Sequence, residues 1–310
     1  MIGMLGFQTT VMSPVTISGI GVHSGAPVSI TLHPAEADHG IVFQRVHGDG
    51  TVSEYRAVSS QVGNTDLCTV LGVSPAKSIA TVEHVMAAVY ALRLDNALIE
   101  VHGAEMPIMD GSSAPFIEAI DQVGLRSLSV KRRYIRILKP VRVEAGASWA
   151  EFSPYDGTRF EVEIDFDCPL IGRQAWRGDL TPAAFRTELS RARTFGFMRD
   201  VERLWASGHA LGSSLENSVV ISDDDTVINI EGLRYVDEFV RHKTLDAVGD
   251  LSLAGTQFIG CYRSYRGGHR MNAHALKALL ADASAYEVVE ASTPRTRTAV
   301  NAPEFAPWSA

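Results

Sequence analysis

The chain has 310 residues, 45% hydrophobic and 21% charged, which is the balance of a water-soluble globular protein with enough apolar side chains for a core. A formal net charge of −8 without any basic stripe argues against nucleic acid as a partner. The three cysteines, Cys68, Cys168 and Cys261, lie far apart and form no CxxC pair, so a reducing compartment is expected and a disulfide framework is not.

The opening stretch, MIGMLGFQTTVMS, has neither a basic n-region nor a long apolar h-region and reads as no signal peptide. VTISGIGVHSGAPVSITLHP predicts a strand, a Gly-rich turn and a second strand, and GIVFQRV a third. In ATVEHVMAAVYALRL the apolar residues Val82, Val85, Met86 and Val89 recur at helical spacing. DNALIEV reads as a strand. MDGSSAPFIEAIDQVGL reads as a turn entering a second helix, with Pro115 near its first turn. RSLSVKRR, residues 126 to 133, is polar and basic between apolar segments and reads as a linker. Beyond it, YIRILKPVRVEAG, SWAEFSP and TRFEVEIDF predict strands, YVDEFVRHKTLDAVGDLSL a helix, GTQFIGCYR a strand and NAHALKALLADAS a last helix. No apolar run reaches the roughly 20 residues of a membrane span, and a cytoplasmic location is expected.

The second half repeats the order of the first. ITLHP aligns with AEFSP, and EHVMAAVYALRLDNALIEV with RHKTLDAVGDLSLAGTQFIGCYR, which sets His84 opposite His242, 158 positions away. Two similar α+β domains are expected, 1–130 and 131–310, each a sheet with two helices. Burial of the helical faces against each other predicts the order sheet, helices, helices, sheet. The two histidine-bearing helices would meet near the interface, where ligand sites are common.

His242 and Asp246 stand four residues apart on one helix face. By spacing alone they are either a surface hydrogen-bonded pair or two ligands of one ion. With His84 as a third ligand they would leave a position open for water, as catalytic zinc sites do. Glu83 beside His84 reads as a general base or as a solvated glutamate at a helix start. His269 in GGHRMNAH reads as a positioned acid or as a turn histidine before the last helix. Asp250 is placed to orient such a histidine. Lys243 is either a snorkelling surface charge or a contact for an anionic substrate.

Taken together, GIGVHSG, IATVEHVMAA, PIMDGSSAPF, LSRARTFGFMRD, FVRHKTLDAVGDL and GGHRMNAHALKALL resemble the UDP-3-O-acyl-N-acetylglucosamine deacetylase family, the zinc amidohydrolases that commit cells to lipid A synthesis. The motifs run in family order over nearly the whole chain. The resemblance implies a β-α-α-β sandwich with an insert in each domain. It implies hydrolysis of the N-acetyl group of UDP-3-O-(3-hydroxyacyl)-N-acetylglucosamine to the free amine and acetate. It assigns His84, His242 and Asp246 to zinc, with Fe2+ as an alternative native metal for such ligands. It makes Glu83 the general base, His269 the general acid or electrostatic partner, Asp250 its pair, Thr194 the oxyanion contact and Lys243 a substrate contact. Phe195, Leu215, Ala210 and Cys68 are expected against the substrate. The insert at about 194–223 is expected to form the acyl passage, with a Gly/Ser-rich bend, LGSSLEN, in a βαβ-like segment. The partner is the acylated UDP-sugar, and a monomer is expected. GGHRMN departs from the more usual SGHALN, Leu215 stands where phenylalanine is common, and the tail STPRTRTAVNAPEFAPWSA departs from the family and reads as irregular. A different zinc amidase or peptidase, a non-enzymatic sugar-nucleotide or lipid binder, and a metal-free scaffold are the competing classes.

Overall fold

Nine strands and α-helices make up the first half of the described chain, residues 6–291 of a computed structural model. They are strands β1 (Phe7–Val11), β2 (Val15–Ile20), β3 (Pro27–Pro34), β4 (Ile41–Val46) and β5 (Val52–Arg56), helix α1 (Glu83–Leu92), β6 (Ala97–His102), α2 (Ala114–Val123) and β7 (Leu125–Lys131). The second half begins with β8 (Arg133–Ile137), β9 (Val141–Ala145), β10 (Ser148–Ser153), β11 (Thr158–Asp165) and β12 (Arg173–Asp179). A short helix α3 (Pro182–Ala184), β13 (Phe195–Phe197), α4 (Met198–Ala206) and β14 (Val219–Ile221) follow, and then α5 (Glu238–Leu251), β15 (Gln257–Tyr265), α6 (His269–Ala281) and β16 (Tyr286–Glu290). The tail from Ser292 onward, and the first five residues of the stretch read as lacking a signal peptide, lie outside the described residues.

The duplication is present strand by strand. One sheet has the order β2-β3-β6-β4-β5, and the path β9-β10-β15-β11-β12 of the larger sheet repeats it. Directions match as well: β6 is antiparallel to β3 and parallel to β4, just as β15 is antiparallel to β10 and parallel to β11. Even the outer pairs correspond, since β7 lies antiparallel to β1 and β16 antiparallel to β8. Segments 57–82 and 180–237, which precede α1 and α5, are therefore insertions at the same topological place. The second contains the expected βαβ excursion: β13 and β14 pair in parallel on either side of α4.

Alternation sets the inner faces. Val28, Ile30 and Leu32 on β3, and Phe160, Val162 and Ile164 on β11, are buried at every second position. Contacts lead from the first sheet through α2 and α1 to α5 and α6, and on to the second sheet. All ten residues of α1 are buried, which a helix enclosed on every side requires. On α5 only Arg241 and Lys243 escape burial. The two helices approach so closely that a Cβ at Gly249 would collide with the carbonyl oxygen of Glu83.

Two local expectations differ. Residues 126–133 are not a linker: β7 pairs with β1, register Thr10↔Arg126, and Arg132 is buried with its guanidinium on Asp95 at 2.7 and 2.8 Å. Only Leu125, Leu128 and Val130 of β7 turn inward, so its sequence looks like a loop. The single strand read in YIRILKPVRVEAG is two, β8 and β9, separated by Leu138 to Pro140.

Candidate metal and catalytic centre

α1 opens with the two residues that bear on chemistry. Thr81, just before it, holds a left-handed backbone at φ 60°, unusual for a β-branched residue. Glu83 is buried, and its Oε2 accepts the Thr69 N–H at 3.0 Å. His84 is buried next to it, and the Ser113 hydroxyl donates to its carbonyl at 2.7 Å.

Across the interface, α5 presents His242 and Asp246 on one face. Asp246 Oδ1 lies 3.3 Å from His242 Nε2 and 3.6 Å from His84 Nε2. It has no hydrogen-bond partner among the described residues, although it is buried. The other oxygen, Oδ2, accepts Lys243 Nζ at 2.6 Å. His242 Nδ1 donates to the Ala192 carbonyl at 3.1 Å, which leaves Nε2 facing the cluster. Burial pushes the His242 imidazole down to about 3, so it is neutral and its lone pair is available. Burial opposes a charge on Asp246, but its neighbours, the Lys243 ammonium at 2.6 Å among them, hold it well below the usual carboxylate range.

Each of the three residues offers a ligand atom, all within 4.8 Å of one another. A tetrahedral ion with bonds of about 2.0 Å has ligand–ligand edges of roughly 3.3 Å, close to the 3.3 and 3.6 Å that separate Asp246 Oδ1 from the two imidazole nitrogens. Three converging donors, one of them an orphaned buried oxygen, fit a divalent cation better than they fit one another.

His269 is the first residue of α6 and not, as the sequence reads, a residue ahead of it; Gly268 is extended and forms the cap. Its Nδ1 donates to Asp250 Oδ2 at 2.9 Å, and its Nε2 points between Glu83 and Asp246, 3.9 Å from each. Burial opposes a charge on His269, but Asp250 and Glu83 outweigh it and push the group up to about 9. Glu83 is pushed up by its own burial, with His269 and His84 opposing. Asp250 also accepts from Thr69 Oγ1 at 2.5 Å and from Asn272 Nδ2 at 2.7 Å. Asn272 is three residues from His269 on one helix, a spacing that marks it as a neighbour. Nothing local marks Thr69, which arrives from the insertion before α1.

Glu83, His84, His242, Asp246 and His269 line a cavity of about 350 Å³. Thr194, Phe195, Ala210, Cys68 and Lys243 line it too. Thr194 is held at both ends: its N–H donates to the Gly111 carbonyl and its carbonyl accepts from Val219, each at 2.8 Å. Phe195 packs edge-on against Phe239 and Phe166, with centroids 5.0 and 5.8 Å apart. Burial, with Glu83 nearby, pushes the Cys68 thiol up. Leu215 is not brought to the cavity; it is 43% exposed on the far part of the bend. A second cavity, about 450 Å³, shares Lys243 and His269 and adds Arg266 and Arg270.

A buried two-histidine, one-aspartate cluster beside a buried glutamate, set between two repeats of one α+β fold, defines a candidate metal-dependent hydrolytic centre. The family model described as UDP-3-O-acyl N-acetylglycosamine deacetylase matches residues 8–281. Curated proteins named UDP-3-O-acyl-N-acetylglucosamine deacetylase from Brucella ovis, Brucella abortus (strain S19) and Brucella melitensis biotype 2 are each 62% identical over 288 residues, covering 93% of this chain and all of the relative. The chain belongs to this deacetylase family. Among the described residues no helix is long and apolar enough to cross a membrane.

Proposed function

We propose that this protein removes the N-acetyl group of an acylated UDP-N-acetylglucosamine, releasing acetate and the free amine at the committed step of lipid A biosynthesis. The observation that carries this reading is the meeting of His84, His242 and the orphaned Oδ1 of Asp246 beside Glu83. These three residues would hold zinc, or Fe2+ in its place. What the ion supplies when bound is Lewis acidity toward the amide carbonyl and a lower pKa for water.

The chain's own residues divide the remaining work. Glu83 receives the proton of the attacking water at Oε1, because Oε2 is committed to Thr69. Its raised affinity for protons suits it to that task at neutral pH. His269, kept charged by Asp250, stabilises the developing oxyanion through Nε2. Thr194 assists with its hydroxyl, since its N–H is already taken by Gly111. Such donors are each worth about 10²-fold or more in rate.

The apolar walls around Phe195 receive the acyl chain, each buried methylene contributing roughly 0.8 kcal/mol. Lys243, Arg266 and Arg270 around the second cavity meet the diphosphate. The division into domains 1–130 and 131–310, a cytoplasmic location and a monomeric state complete the proposal. The test is steady-state hydrolysis of the acylated UDP-sugar with acetate release, before and after chelation. Activity that is lost on chelation and restored by zinc or Fe2+ supports the reading. Activity indifferent to chelation in metal-free protein contradicts it.

A further inference from the structure

We infer that Glu105 is a positioning residue that sets substrate affinity by holding the roof of the cavity in place. The inference rests on the deacetylase reading above, and its first readout does not.

Glu105 lies outside the catalytic cluster and is 3% exposed. Its Oε1 accepts the His23 N–H at 3.0 Å and the Thr81 hydroxyl at 2.9 Å. Its Oε2 accepts the Ser24 N–H and the Ser24 hydroxyl, both at 3.0 Å, and the His23 N–H at 3.2 Å. A buried carboxylate saturated by donors from two other segments fixes those segments relative to each other. The first segment is the turn between β2 and β3, which carries Val22 and His23 into the cavity wall. The second is the approach to α1, where Thr81 also lines the cavity and keeps its left-handed backbone two residues before Glu83. Pairing of Ala80 with the chain around Glu105 reinforces that approach: Ala80 N–H donates to Ala104 and Met106 N–H to Ala80, at 3.0 and 2.9 Å.

The turn does more than line the wall. Leu211 N–H donates to the His23 carbonyl and Gly212 N–H to the Val22 carbonyl, both at 3.0 Å. A Cβ at Gly212 would run into the Gly21 carbonyl and the Gly25 Cα, so the two backbones are in direct contact. His23 and His209 pack edge-to-face across the same junction, centroids 5.5 Å apart. The bend of the second-half insertion is thus clasped to a first-half turn, and Glu105 is the anchor of that turn. Loosening the anchor frees the turn and the insertion bend clasped to it, whereas His84 and His242 keep their own contacts to Ser113 and Ala192.

The experiment compares wild type, Glu105→Gln and the milder Ser24→Ala by amide hydrogen exchange and by kinetics. Gln places an NH2 group against backbone donors that need an acceptor. Exchange over 22–25 and 210–212 is expected to rise about tenfold in Glu105→Gln, the equivalent of one charge-assisted hydrogen bond, with α5 unchanged. KM for the acylated UDP-sugar should rise by a similar factor, with kcat within about twofold and metal content intact. Ser24→Ala should shift both in the same direction by about threefold. Exchange that rises uniformly through α1 and α5, or a fall in kcat at constant KM, would overturn the positioning role. If the exchange pattern appears but wild type does not hydrolyse the acylated substrate, the deacetylase reading fails, and with it the effect on KM, while the anchor itself stands.

Discussion

α1 begins with its two chemical residues, Glu83 and His84, whereas α5 spreads His242, Asp246 and Asp250 along three successive turns. The helices are equivalent in strand order and neighbours, yet one meets the site end-on and the other side-on. Duplication supplies two enclosed helices in contact. What makes them unlike is the pair of insertions at the same topological place. The first brings Thr69 to Glu83 and Asp250, and Glu105 reaches its Thr81. The second brings Ala192 to His242 and sets Thr194 and Phe195 opposite the cluster. A symmetric scaffold therefore carries an asymmetric centre, with Glu83 and His84 on one helix and His242 and Asp246 on the other.

Disabling the end-on helix should have the largest effect. Glu83→Gln is expected to keep the bound metal and lose at least about 10²-fold in kcat, read from turnover beside elemental analysis. Near-normal turnover would remove the base from α1. Next comes the contact between the helices. Gly249→Ala sets a methyl group against the Glu83 carbonyl and should destabilise the fold by about 2 kcal/mol, measured by urea unfolding. An unchanged midpoint would show that the helices can separate freely.

Much of this contrast was legible in the sequence and some was not. The four-residue spacing of His242 and Asp246 was visible because a helix converts spacing into direction. His84 needed the repeat alignment and the family motifs, since its partners are distant in the chain. Thr69, Asn272 and Glu105 were missed. Only Asn272 carried a signal, its spacing from His269. β12 was missed because Trp176 is its one buried side chain, and β5 because none of its residues is buried. The linker reading of 126–133 failed for the same reason: an exposed edge strand with few inward residues has the composition of a loop. Leu215 was expected on the wall from its place in the insertion, but position in a bend does not determine which way a side chain faces.

A smaller effect separates the two helices by pH. His269 is held up to about 9, above its ordinary 6.5, chiefly against burial by Asp250 of α5. Its charged form contributes stability that is complete below about 6.5 and is lost as pH rises through about 9. The alkaline limb of kcat should fall in the same window. Asp250→Asn should bring that limb down by about one unit, while the acidic limb set by Glu83 of α1, itself above the ordinary carboxylate range, should move far less. An unmoved alkaline limb would release His269 from its role. Smallest of all is Leu215→Asp. With the side chain facing solvent, kcat/KM on the acylated substrate should change by less than about twofold, within the usual ±0.5 kcal/mol of a surface substitution. A large loss would return Leu215 to the passage.

The proposed division of labour between α1 and α5 requires His84, His242 and Asp246, whose ligand atoms converge, to share one ion. Elemental analysis of purified wild type and Asp246→Ala after dialysis against a weak chelator tests that directly. Wild type should retain a stoichiometric divalent ion and Asp246→Ala should lose most of it while remaining folded. A folded Asp246→Ala protein that keeps its full complement of metal would contradict the shared site.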